Sequence, residues 1–185
     1  IIVNDGSVDD GALFVRDYFP EIRVINNPIC RSVGIAVNIG IKYVTYPITW
    51  IVSLDMAVES CDLNLVLRHF DRSDVFAVLP AYLDDDDSCL INDCHIGYEG
   101  VGFYWNPSSV SYNGCLGLTQ SIGSMFLATD KFRFLGGFDE LFDPVETPHV
   151  DLTLSAYRWG WRSIVSTDIK LKFLDGLDRF GPHDQ

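Results

Sequence analysis

The sequence predicts a single α/β domain over residues 1–185 with a mostly parallel central sheet. Short apolar runs typical of buried strands alternate with segments typical of helices through the first 80 residues. Such alternation favours parallel strands joined by right-handed crossovers. The length of 185 residues suits one domain, and a hydrophobic content of 48% is ample for a packed core.

Turn residues and prolines delimit the first elements. Residues 1–4 form an apolar run that stops at Asp5 and Gly6, which predicts a buried strand entering a turn. Pro20 should end the helix that follows, because proline cannot continue a helix. The next predicted elements are a strand at residues 22–25, a helix at residues 33–44 and a strand at residues 49–54.

The remaining elements follow a break in regularity. Asp62 can cap a helix that runs to Phe70, and Pro80 should close a strand at residues 75–79. Residues 84–120 contain four consecutive aspartates and much Gly, Ser and Asn, which predicts a mobile loop or a lid over the acceptor. The last predicted elements are a helix at 130–135, a helix at 150–159, and strands at 163–165 and 169–173.

Composition excludes several classes of function. The chain has 26 acidic and 13 basic residues and a net charge of −13, which disfavours nucleic acid and an anionic membrane surface as partners of the whole surface. No apolar run reaches the roughly 18 residues of a membrane span. Five scattered cysteines favour reduced thiols over a disulfide framework, so we expect a cytoplasmic protein.

Two acidic residues follow predicted strands. Asp5 comes after the first strand and Asp55 after the third. Ligands of open α/β sheets bind beyond the carboxyl ends of the strands, so we expect these two carboxylates to converge on one pocket. Either residue alone would be interpreted as a turn or helix cap, and the pair does not identify a ligand.

Several short motifs in order resemble glycosyltransferase family 2, the inverting nucleotide-sugar enzymes with the GT-A fold. Residues 3–9, Val-Asn-Asp-Gly-Ser-Val-Asp, are similar to its V-N-D-G-S-x-D segment, and residues 135–140 are similar to its G-G-F-D-E segment. The similarity is greatest to the rhamnosyltransferase branch. Further matching positions are Arg31, residues 27–28, 38–41, 50–59, 123–125, 150–152 and 160–162.

The resemblance implies roles for individual residues. Asp5 would accept a hydrogen bond from the nucleotide base, Arg31 would lie near the diphosphate, and Asp55 would lie near the ribose and a metal ion. A divalent cation, Mn²⁺ or Mg²⁺, would stabilise the leaving diphosphate, while a carboxylate deprotonates the hydroxyl of a glycan or other acceptor. The implied partners are thus a nucleotide-sugar donor and a hydroxyl acceptor.

Departures from the family pattern fall where the chemistry occurs. Ala57 stands at the second carboxylate of the D-x-D motif, and a methyl group cannot coordinate a cation that requires oxygen. Glu59, two residues further on, is the substitute that the chain offers beside Asp55 as a metal ligand. The divalent cation is therefore in doubt.

The family's catalytic base pair falls on Pro148 and His149. His149 could take a proton near neutral pH, although a histidine beside a proline in a loop is more often only exposed to solvent. Glu146 and Asp151 are the nearby carboxylates. The catalytic candidates are therefore His149, Asp151 and Glu146.

The family also has a strand and helix before the segment with which this chain opens. We expect the domain to lack this first strand, which lies centrally in the GT-A sheet, and a protein partner or an N-terminal segment to complete the sheet. Two functions remain open. One is a glycosyltransferase, and the other is a catalytically inert GT-A domain, a pseudoenzyme, that serves as a structural or protein-interaction module.

Overall fold

The computed structural model describes residues 1–83, 89–90, 93–99, 102–108, 123–142 and 148–174, which contain five α-helices and ten strands. The helices are α1 (Gly11–Tyr18), α2 (Val33–Ile41), α3 (Leu63–Arg68), α4 (Thr129–Phe134) and α5 (Pro148–Arg158). The strands are β1 (Ile2–Asp5), β2 (Val24–Asn27), β3 (Ile48–Val52), β4 (Met56–Cys61), β5 (Val75–Leu83), β6 (Cys89–Leu90), β7 (Asp93–Glu99), β8 (Gly102–Ser108), β9 (Ser124–Ala128) and β10 (Arg162–Phe173).

The larger sheet is mixed. Its strands lie in the order β3-β9-β5-β10-β4, and β6 pairs with β5 beside this path. Strand β10 is parallel to β5, whereas β9 is antiparallel to both β3 and β5, and β4 is antiparallel to β10. The predicted α/β domain is therefore confirmed, but its sheet is not the mostly parallel one that we expected. The antiparallel strands β9 and β4 flank the parallel pair β5 and β10 on its two sides.

Strands β1 and β2 form a separate parallel pair. In the described part of the chain, β1 pairs only with β2, and β3 pairs only with β9. Each of these two strands thus keeps one edge without a described neighbour, and the expected absence of a first strand stays a prediction. A third sheet consists of the antiparallel pair β7 and β8.

Strand β5 lies at the centre of the core. Eight of its nine residues are buried, because side chains pack on both faces of the sheet. Phe76 and Leu79 belong to a cluster with Phe132 of α4, while Tyr82 belongs to a second cluster with Val66 of α3. This two-sided burial explains why the sequence of β5 is a continuous apolar run and not an alternating one.

Helix α2 packs between the β1–β2 pair and the larger sheet. Its N-cap is Ser32, whose hydroxyl accepts a hydrogen bond from the Ile35 amide at 3.4 Å. A side chain at Gly40 would meet Val3 Cγ2 at 3.0 Å, so the helix packs closely on β1. On its other side, the Asn38 side chain hydrogen-bonds the loop after α4. The β1–β2 pair is therefore held to the larger sheet through α2.

Two predicted strand ends are wrong. Pro80 does not close β5, which continues to Leu83, and β10 is one strand where we expected two. The pairing of β10 with β5 shifts between Ser166 and Lys170, opposite Pro80 and Ala81. An irregularity of this kind accommodates a proline, which has no amide hydrogen for the ladder. One local irregularity therefore explains both differences.

Residues 84–120, predicted as a lid, lie mostly outside the described residues, and only the backbone of β6, β7 and β8 is described there. In the described part of the chain, no helix combines the length and apolar character needed to cross a membrane.

Candidate functional site

The turn after β1 fixes the carboxylate of Asp5. Its Oδ1 accepts a hydrogen bond from Asn27 Nδ2 at 2.6 Å, and its Oδ2 accepts one from the Arg31 amide at 2.9 Å. The next residue, Gly6, has a φ of +77°, and a side chain there would collide with the backbone of Cys30. The sequence around Asp5 thus builds a tight turn that holds the carboxylate in one orientation.

This arrangement places two predicted binding residues together. The Arg31 amide contacts Asp5 directly, and the Arg31 side chain is exposed at the same turn. Each oxygen of a carboxylate has two acceptor positions, so Asp5 can still accept a hydrogen bond from a ligand. Asp5 and Arg31 can therefore contact one bound molecule, Asp5 with a hydrogen-bond acceptor and Arg31 with its guanidinium.

Asp55 lies in the turn between β3 and β4 and is half-buried. Its carbonyl oxygen accepts a hydrogen bond from the Leu174 amide at 2.9 Å, which ties the turn to the end of β10. Burial raises the pKa of the Tyr82 phenol above its usual range, and the negative charge of Asp55 adds to this increase. Asp55 is therefore adjacent to a buried, neutral phenol at the carboxyl end of β5.

The predicted metal ligands do not form a complete set. Ala57 and Glu59 follow Asp55 on β4, but the pairing with β10 skips Glu59, because Val58 pairs with Leu171 and Ser60 with Lys170. This irregularity interrupts the alternation of side chains, so alternation does not place Glu59 on the face of Ala57. In the described parts of the chain, no three residues among His, Cys, Asp and Glu are grouped so that they could hold a metal ion. Asp55 and Glu59 stay predicted ligands, and they do not by themselves fit a divalent cation.

A pocket of about 470 Å³ lies beside the loop between α4 and the 3-10 helix Glu140–Phe142. It has three carboxylates, those of Asp139, Glu140 and Asp151, and neither Asp5 nor Asp55 lines it. The convergence of Asp5 and Asp55 on one pocket therefore stays a prediction. The other lining residues are Asn38, Leu135, Gly136, Gly137, Phe138, Leu152 and Ser155.

Asn38 fixes the position of this loop. Its Nδ2 donates to the Phe138 carbonyl at 2.8 Å, and its Oδ1 accepts from the Phe138 amide at 2.9 Å. Both residues are buried, so the two hydrogen bonds replace water that neither group can reach. Asn38 was predicted to lie in a helix that resembles one of glycosyltransferase family 2, but no role was predicted for it. The signal was a lone amide in an otherwise apolar helix.

The backbone of the loop needs glycine at two successive positions. Gly136 has a φ of +90° and Gly137 a φ of +82°, in the left-handed region that other residues adopt at a cost. A side chain at Gly137 would also collide with Asn38 Oδ1, whereas a side chain at Gly136 would meet nothing within 4 Å. A substitution at Gly136 therefore causes backbone strain alone, whereas one at Gly137 causes both backbone strain and a steric collision.

We expect Gly137→Ala to lower the free energy of unfolding by about 2 kcal/mol, against about 1 kcal/mol for Gly136→Ala. Both variants pay the strain of a positive φ, but only the first displaces the Asn38 amide from Phe138. Urea denaturation followed by tryptophan fluorescence measures both values. Equal losses for the two variants would show that the close approach to Asn38 has no energetic consequence.

Helix α5 carries two of the three catalytic candidates. His149 is 1% exposed, in the first turn of a helix that begins at Pro148, so it is not the exposed loop residue that a neighbouring proline suggests. Burial lowers the pKa of His149 to about 4. Asp151 is half-buried and lines the pocket, while Glu146 lies outside the described residues. Of the three, Asp151 is the carboxylate that the structure places at a cavity.

Solved structures share this fold across nearly the whole chain. The crystal structure of GalNAc-T7 with UDP, GalNAc and Mn²⁺ matches with a TM-score of 0.73 and 9% identity, over 95% of this chain and 37% of that one. The mannosyltransferase PcManGT from Pyrobaculum calidifontis, in complex with GDP-Man and Mn²⁺, matches with a TM-score of 0.65 and 14% identity, over 95% and 47%.

S. aureus TarS 1-349 in complex with UDP-GlcNAc matches with a TM-score of 0.64 and 15% identity, over 98% of this chain and 51% of that one. The chain thus spans about half or less of these three structures. No curated protein sequence matches it. The neighbours confirm the GT-A fold, and the rhamnosyltransferase branch stays a prediction. The model of glycosyl transferase family 2 matches residues 1–118, more than half of the sequence, and the chain therefore belongs to this family.

Proposed function

We propose that this domain binds a nucleotide-sugar donor at the turn after β1 and transfers the sugar to an acceptor hydroxyl with inversion. The observation that carries the proposal is the fixed carboxylate of Asp5, held by Asn27 Nδ2 and the Arg31 amide in a family 2 chain. A fixed acceptor of this kind suits the N–H groups of a nucleotide base. The exposed Arg31 guanidinium suits the diphosphate, because its planar donors match phosphate oxygens.

Asp151 is the general base of the proposed reaction. The acceptor oxygen attacks the anomeric carbon, the bond from that carbon to the diphosphate breaks, and the acceptor proton passes to the carboxylate. Asp151 lines the 470 Å³ pocket, which gives an acceptor room next to it. His149 is the weaker candidate, because it is 1% exposed and does not line this pocket. Glu146 remains a proposed candidate on its sequence position alone.

The metal is the least supported part of the proposal. Two of the structural neighbours hold Mn²⁺, yet the described residues here offer only Asp55 at the D-x-D position and Glu59 beyond it. No step of the proposed reaction therefore uses a metal ion. Arg31 would supply the only positive charge that the resemblance assigns to the donor site, in a chain of net charge −13. Donor binding is consequently weak.

We expect dissociation constants in the millimolar range for UDP or GDP, about −4 kcal/mol, with little gain from Mn²⁺. Isothermal titration calorimetry with and without Mn²⁺ measures both. Asp5→Asn should weaken binding about tenfold, or 1.4 kcal/mol, because an amide cannot accept from Asn27 and Arg31 with both atoms. Asp17→Asn is the control, since Asp17 is an exposed residue that contacts Arg16 on α1. Unchanged affinity in Asp5→Asn would remove the donor site from this turn.

Restoring the missing carboxylate tests the metal. We expect Ala57→Asp to tighten binding of UDP or GDP about tenfold in Mn²⁺ but not without it, because it returns an oxygen ligand to the face of β4 that follows Asp55. Val58→Asp adds the same charge on the opposite face of β4 and should give no such gain. Tight Mn²⁺-dependent binding by the unmodified chain, lost in Glu59→Ala, would show that Glu59 replaces the missing ligand.

The second candidate function is an inert interaction module. Ala57 and the buried, weakly basic His149 stand at family positions that carry chemistry, which favours this alternative. The edges of β1 and β3 that have no described neighbour could take up an added strand from a protein partner or an N-terminal segment. Absence of nucleotide binding even in Ala57→Asp would favour this module over the enzyme.

A further inference from the structure

Three aromatic rings form a connected patch on the surface, away from the donor turn. Phe134 packs edge-to-face on Trp159, with ring centroids 4.9 Å apart, and on Trp161 at 5.7 Å. Trp159 and Trp161 stack with centroids 6.2 Å apart. Phe134 and Trp159 are each 61% exposed, although large rings of this kind are normally covered.

The patch is fixed to the core and not to a loose loop. Trp161 stacks on the buried Phe76 with centroids 6.4 Å apart. The Lys131 ammonium lies 5.2 Å from the centre of the Trp161 ring and donates to the carbonyls of Ser73 and Val75 at 2.7 and 2.6 Å. These contacts place the rings where β5 and β10 begin, at the end of the larger sheet opposite the turn that carries Asp55.

Basic residues collect around the rings. Arg133, beside Phe134, donates to the carbonyls of Ile41 and Val44 at the end of α2. In the described part of the chain, the end of α2, helix α4, the end of α5 and the starts of β5 and β10 carry six cations and three carboxylates. Arg72 and Arg162 share Asp74 at 2.9 and 3.3 Å, and Arg133 lies 4.0 Å from Asp130, so these segments keep an excess of positive charge although acidic residues outnumber basic ones two to one in the whole chain. The cations are Lys42, Arg72, Lys131, Arg133, Arg158 and Arg162, and the carboxylates are Asp71, Asp74 and Asp130.

We propose that this aromatic–basic edge, Phe134, Trp159 and Trp161 with the six cations, docks on the surface of an anionic lipid bilayer. Aromatic rings partition to the boundary between headgroups and acyl chains, and adjacent Lys and Arg side chains attract anionic headgroups. Charge complementarity selects this partner, because the rest of the chain has 23 acidic and 7 basic residues and is repelled by the same headgroups. The net charge of the chain does not reveal this basic edge, because it sums the charges of all faces of the protein.

Sedimentation with sucrose-loaded vesicles tests the proposal on the full chain. We expect at least about tenfold more protein bound to vesicles of phosphatidylcholine with 30% phosphatidylglycerol than to pure phosphatidylcholine, with the difference lost at high salt. The double variant Phe134→Ser/Trp159→Ser should reduce binding about tenfold, and Arg158→Glu about threefold.

Matched controls lie on α1, where Phe14 and Tyr18 form another exposed ring pair with centroids 4.7 Å apart. Phe14→Ser/Tyr18→Ser likewise removes two exposed aromatic rings and Arg16→Glu reverses one arginine charge, and both should leave vesicle binding unaltered. Circular dichroism melting checks that each variant keeps its fold. The proposal is overturned by equal binding to both vesicle types, by binding to neither, or by equal losses in the α1 controls. An edge that binds only a protein or a glycan gives the second of these outcomes.

Discussion

Replacing Asn38 with leucine should lower the free energy of unfolding by about 3 kcal/mol, because it leaves a buried amide and a buried carbonyl without hydrogen bonds. Asn38 donates to the Phe138 carbonyl and accepts from its amide, and Phe138 is 2% exposed. Leucine has almost the same size, so packing changes little and the loss reports the two hydrogen bonds. Chemical denaturation gives the value directly.

The same substitution at an exposed asparagine is the control. Asn26 on β2 accepts one hydrogen bond from Asn4 Nδ2 at 3.0 Å at the surface, where water can replace the lost partner. Asn26→Leu should therefore cost less than about 1 kcal/mol. If both variants lose the same stability, the clamp on Phe138 is not what holds the loop. A functional effect is also expected, since Asp139 follows directly and lines the pocket.

Local sequence signals predicted local structure well. Asp62 was expected to cap a helix, and its Oδ1 accepts a hydrogen bond from the Leu65 amide at 3.1 Å at the start of α3. Capping depends on residues within one turn, so sequence spacing alone reveals it. The start of α2 was likewise placed at Val33, where Ser32 supplies the cap.

Long-range contacts were the part that sequence could not supply. Pro80 marks the end of a strand in most contexts, and only the shifted pairing of β10 between Ser166 and Lys170 lets β5 continue past it. Asn38 and Phe138 are 100 positions apart, so their contact could not be predicted from local spacing either. Such features depend on which segments meet, and no spacing rule within one segment encodes that.

In the candidate site too, local features were predicted from the sequence and long-range contacts were not. The turn at Asp5 was predicted because its residues are consecutive, and the structure adds only that Asn27 and Arg31 hold the carboxylate. The identity of the catalytic base was left among three residues, because proline before His149 suggests a loop. Proline also suits the first position of a helix, where it needs no amide hydrogen bond. His149 therefore lies in the first turn of α5 and not in a loop.

Acid should destabilise the domain through His149. Its pKa is lowered to about 4 in the folded protein, because burial penalises the charged imidazole, while the unfolded chain has the usual value near 6.5. Between these values the unfolded state binds a proton that the folded state does not, so stability is full above pH 6.5 and falls as the pH drops towards 4. A difference of 2.5 pKa units corresponds to a loss of about 3 kcal/mol over this window.

The difference in unfolding free energy between the wild type and His149→Gln isolates this effect, because titrations of the carboxylates cancel between the two proteins. We expect this difference to move by about 3 kcal/mol in favour of the variant between pH 7 and pH 4. His69→Gln is the control, since His69 lies near the surface with Nε2 3.7 Å from Asp168. A constant difference across this range would mean that His149 titrates normally in the fold. His149 would then be a candidate general base at neutral pH, as Asp151 is. In that case Asp151→Asn should keep residual sugar transfer whose pH dependence has a midpoint near 6.5.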